Sequence, residues 1–115
     1  MTEADIYPLV KALAGGRVFP YVVPLNAKDE PAVDPPWVVF SLISHSLADV
    51  LCGTAEEKNA LQVDVYSKTL AQARTIRNEV LAALSPLGLT DRQLLQDYDS
   101  TSGLFRATID AQIID

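Results

Sequence analysis

From residue 61 the apolar positions recur every second residue, and from residue 70 every third or fourth, so one continuous stretch predicts a strand feeding directly into a helix. Leu61, Val63 and Val65 fall on one side of the strand and Gln62, Asp64 and Tyr66 on the other, the alternation of a sheet with one buried face. Beyond Leu70, the residues Ala73, Ile76, Val80 and Leu84 form an apolar stripe, which places Gln72, Arg74, Arg77, Asn78 and Glu79 on the solvated side of the helix. Thr69 and Gln72 have capping-box spacing, in which a hydroxyl and a side-chain amide take up donors that the first helical turn leaves free.

A shorter helical stripe, Ile6, Leu9, Val10 and Leu13, lies near the N-terminus, with Thr2 as its cap, Glu3 and Asp5 at its positive end, and Gly15-Gly16 as its stop. Pro8 removes one helix hydrogen bond and leaves two starting points open, after Thr2 or near Tyr7. Residues 17–23 predict a short peripheral strand, because Pro20 confines it to an edge or a bulge. Residues 24–36 hold four prolines among Asn26, Lys28, Asp29, Glu30 and Asp34 and predict a long exposed loop. A strand over 37–44 is apolar on both faces at its start, residues 46–59 read as a second irregular region, and 92–99 fits either a strand or a helical turn. In 104–114, Phe105, Ala107, Ile109, Ala111 and Ile113 share one face while Arg106, Thr108, Asp110 and Gln112 share the other. The elements together predict a single α+β domain over 1–115, a mainly antiparallel sheet packed by two helices.

Composition narrows the class. A chain of 115 residues that is 49% apolar can bury a core without metals or disulfides, and the lone Cys52 provides no disulfide framework. The net charge of −6, with scattered Lys and Arg, argues against direct nucleic-acid binding. The longest apolar run, 37–40, is far below the roughly 20 residues that span a bilayer, and the N-terminus lacks a signal-peptide layout, so assembly in the cytoplasm and no membrane partner are expected.

Candidate chemistry is sparse. His45 lies between Ser44 and Ser46 with Asp49 nearby, but a triad is a spatial arrangement that sequence neighbours rarely make. Cys52 has no adjacent base, and one Cys with one His falls short of a zinc set. Asp64 and Asp110 fall on polar strand faces, where Asp64 is expected opposite Arg106 or Asp110 if those strands pair. Asp97-Tyr98-Asp99-Ser100 lacks the spacing of a calcium loop, Gly15-Gly16-Arg17 lacks that of a phosphate loop, and Arg74 and Arg77 read as a solvated face or a subunit salt bridge. No catalytic, cofactor or metal residue is assigned, and no enzymatic activity is expected.

The order of the short helix, Gly15-Gly16-Arg17-Val18-Phe19-Pro20, the loop closing at Pro35-Pro36-Trp37-Val38-Val39-Phe40, and Leu61-Gln-Val-Asp-Val-Tyr66 running into Ala71-Gln-Ala-Arg74 resembles the tail completion proteins of long-tailed bacteriophages and prophages. The resemblance spans about residues 5 to 114, while 46–59 departs from it. It implies a fold similar to tail terminator proteins, a ring usually of six copies on the tail tube, contacts with the major tail tube protein and the head-tail connector, and a place in the virion tail. Two other readings stay open on the residues: a small ligand-binding or regulatory domain, and a hydrolase using His45 and Asp49.

Overall fold

Thr2 caps helix α1 (Glu3–Val10): its hydroxyl accepts from the Ala4 amide at 3.3 Å, and its own amide donates to Asp5 Oδ2 at 2.9 Å. With both bonds in place the helix starts at Glu3 and not near Tyr7, and it runs through Pro8, which is exposed. Ala14 and Gly15 then take positive φ and turn the chain into strand β1 (Val18–Pro20). The structure, a computed structural model, describes residues 2–46 and 57–114.

Five longer elements follow the exposed segment 21–36: β2 (Trp37–Ser46), β3 (Glu57–Ser67), helix α2 (Leu70–Ala83), then β4 (Thr90–Asp99) and β5 (Leu104–Ile114). They build one five-stranded sheet of order β1-β2-β3-β5-β4, antiparallel except where β1 runs parallel to β2. This is the α+β architecture expected, with two extensions. Ser46 and residues 57–59 belong to paired strands and not to an irregular region, because the β2/β3 ladder continues to Ser46 opposite Glu57. Residues 92–99, open between strand and turn in the sequence, are strand.

One face of the sheet carries the core. Val38 and Phe40 of β2, Leu61, Val63 and Val65 of β3, and Ala107, Ile109 and Ile113 of β5 are buried against Ile6 and Val10 of α1 and Ala73, Ile76, Val80 and Leu84. Thr69 accepts from the Gln72 amide at 3.2 Å, as a cap should. The return half of the box is relayed: Ser67 Oγ donates to Gln72 Oε1 and accepts from the Thr69 amide at 3.3 Å.

Arg77 departs from its expected place on the wet side of α2. It is 7% exposed, and its Nη1 donates to the Leu95 carbonyl at 2.8 Å and to Gln96 Oε1 at 3.2 Å, bracing α2 against β4. Four residues after Ala73 it stands only about 40° round the helix from that core position. Its stem therefore packs on the sheet while its head reaches the next strand. Burial, and then the charge of Arg74, lower its pKa; an arginine stays protonated even so. Arg74 is exposed, as expected. Among the described residues no helix is long and apolar enough to cross a membrane.

Candidate functional site

The face of the sheet turned away from the helices is open, and its polar groups answer one another. Asp64 lies opposite Thr108 and not opposite Arg106 or Asp110, since the register sets Gln62 against Asp110 and Tyr66 against Arg106. Its two oxygens accept from Thr108 Oγ1 at 2.6 Å and Gln62 Nε2 at 3.0 Å. Arg106 reaches across to β4 and forms a fork with Asp97, at 2.9 Å and 2.5 Å. That fork holds the Asp97 carboxyl below its ordinary value and raises the arginine in turn. At one end of the face Trp37 and Tyr66 stack with centroids 5.5 Å apart. At the other, a shallow depression of about 350 Å³ is bordered by Ile43, Gln62, Asp91, Asp110 and Gln112. It presents amides and carboxylates with no nucleophile or cation among them.

A pH dependence follows from the fork. The folded pKa of Asp97 lies below the ordinary 3.8, so its stabilisation is complete above that value and is lost as pH falls through the lower, folded one. Asp97 is half exposed, so the contribution is screened. Urea melts should show Asp97→Asn less stable than the parent at pH 6, with the gap closing toward pH 2.

The backbone of His45 pairs with Lys58 in the β2/β3 ladder. Its side chain and those of Ser44 and Ser46, like Asp49 and Cys52, lie outside the described residues, so the triad and thiol readings are untested. Asp99 is engaged in the β4/β5 turn, accepting from the Thr101 amide at 3.1 Å and Ser102 Oγ at 2.9 Å. Arg17 serves the fold, donating from Nε to the Pro36 carbonyl at 2.9 Å and tying β1 to the end of the proline-rich segment. Among the described residues no group of three or more His, Cys, Asp or Glu could hold a metal ion.

What the sequence did not reveal is how the exposed apolar residues are distributed. Tyr7 and Tyr21 stand beside α1 and the outgoing end of β1, Leu94, Leu95 and Tyr98 line β4, and Val22 and Ile43 border the open face. β1 and β4 are opposite edges of the one sheet. On the first edge, the Tyr21 hydroxyl donates to the Glu3 carboxylate and lies 3.1 Å from the Leu42 carbonyl, which fixes an acidic group there and lowers its pKa. Clustered apolar side chains on a folded surface mark places where another protein binds.

No curated protein sequence matches the chain. Among solved structures, a chain from the virion of a native gene transfer agent particle superposes with a TM-score of 0.62 at 17% identity, covering 96% of this chain and 92% of its own, a likeness of fold. The family model described as tail completion protein gp17 matches residues 7–114. By that match, over nearly its whole length, the chain belongs to the tail completion protein gp17 family and is a structural component of a phage-type tail.

Proposed function

We propose that residues 1–115 act as one non-enzymatic domain that closes the end of the tail tube as a ring of identical copies and presents the surface on which the head connector docks. The observation that carries this reading is the pair of unlike apolar edges at opposite ends of the sheet. A molecule whose two adhesive edges differ joins head to tail, and head-to-tail contacts form a ring where the rotation between neighbours closes. The partners are then further copies of the chain, the major tail tube protein below and the head-tail connector above. The place of work is the virion tail, after assembly in the host cytoplasm.

The test is genetic and visual. Particles made without this protein should show tails of irregular length or tails without heads by electron microscopy, and supplying the chain from a plasmid should restore joined virions with a ring at the junction. Tails of normal length joined to heads in its absence would overturn the reading.

A further inference from the structure

Resting on the ring reading, we propose which surfaces of neighbouring copies meet: β4 and the adjoining flank of α2 on one copy seat against the α1/β1 edge of the next, with Arg74 facing Glu3.

The helix layer stops short of β4. Leu94, Gln96 and Tyr98 pair with Ile109, Ala107 and Phe105, so they share the helix side of the sheet, where Ile109 and Ala107 are fully buried. Yet Leu94 is 44% and Tyr98 56% exposed, which leaves an uncovered strip beside α2. The inner wall of that strip is Arg77, a buried guanidinium bonded to a carbonyl and an amide, whose Nε has no hydrogen-bond partner among the described residues. Arg74, about 60° further round the same flank of the helix, stands exposed above it. A strip with apolar side chains and the exposed head of Arg74 above it calls for a partner that is apolar and acidic.

The opposite edge of the same molecule has that character. Between α1 and β1 lies an apolar groove of about 460 Å³ formed by Tyr7, Val18, Pro20 and Phe40, with Glu3 at its rim. Tyr21 holds the Glu3 carboxylate in place, while Asp5, in the same first turn but on the other side of α1, accepts from the Thr2 amide. Strand direction agrees. β2 and β5 both run antiparallel to β3, so β4 runs opposite to β2 and to β1. A copy set beside the first in the same orientation therefore brings β4 antiparallel to the neighbouring β1, with both helix layers on one side. Two copies joined β4 to β4 would instead set the exposed Arg74 of each away from the other's Glu3.

The experiment uses the full chain with Cys52→Ser, carrying Ala4→Cys and Leu94→Cys together or singly, cross-linked by mild oxidation in assembled tails and run on non-reducing gels. The expected result is a ladder of linked subunits from the double variant and at most dimers from either single one. Arg74→Glu should lower the yield of rings by about tenfold, the scale of a reversed interfacial charge, and Glu3→Lys in the same chain should restore it. Circular dichroism melts confirm that each variant folds. Rings seen by electron microscopy that give no ladder, or linkage only between two Leu94→Cys sites, would overturn the contact and leave the ring standing. Tails completed by single subunits with no ring would overturn both.

Discussion

Replacing Phe40 with alanine is expected to cost about 3–5 kcal/mol, the range for deleting a buried aromatic side chain in a core that cannot fully collapse around the gap. Phe40 is the largest fully buried side chain, 1% exposed, and it lies where β2 meets both β1 and the helix layer. A chain of this length has a total stability of roughly 6–17 kcal/mol, so this one change removes a large share of it. Urea unfolding followed by circular dichroism measures the loss. Arg74→Ala is the control, because that side chain is exposed and its truncation should fall within about 0.5 kcal/mol of the parent. An equal loss at both positions would mean that the core is not where the sheet and helices place it.

The second large effect is expected from deleting residues 27–33, and it should appear in assembly and not in folding. The exposed segment is stitched to itself. Asn26 Oδ1 accepts from the amides of Lys28 at 2.8 Å and Glu30 at 3.1 Å, and the Ala32 amide donates to the Pro24 carbonyl at 2.7 Å. Leu25 bridges to Pro31 at its base, and no residue of 27–33 belongs to the core, so the flap can be shortened without opening the sheet. Under the ring proposal the flap contacts the tube or the head connector, and joined virions should fall by about tenfold or more, as when an interface anchor is lost. In the intact protein the amides of this segment should gain protection from hydrogen exchange on assembly, while β5 is already protected in the free subunit. Normal virions from the deletion would move the contact elsewhere on the subunit.

The parts of the fold that could be read from the sequence are those where burial is periodic. Leu61, Val63 and Val65, the α2 stripe and the odd-numbered residues of β5 each face one core, so alternation and helical spacing report them directly. β4 escaped because it has no buried face at all: every residue from Thr90 to Tyr98 is exposed, and the adjacent Leu94 and Leu95 fall on opposite sides. Arg77 was misplaced for a related reason. A charged residue at the margin of an apolar stripe is solvated unless something bonds its head, and that something is a carbonyl of the strand that pattern could not define. The partner of Asp64 depended on the register of β5 against β3, which is a property of two distant segments together. The two apolar edges were hidden in the same way, since an edge exists only once the strand order is known.

That strand order also fixes when the β4 edge comes into being. β5 follows β4 in the chain but lies between β3 and β4 in the sheet. A nascent polypeptide that has left the ribosome only as far as residue 99 can pair β2 with β3, while β4 has no neighbour to hold it. Only when residues 104–114 emerge and slot between them does β4 acquire its position and the sheet its outer margin. The β4 rim of the molecule is thus completed in the closing step of folding, and a half-synthesised chain lacks the edge that a finished neighbour's α1/β1 side would grip.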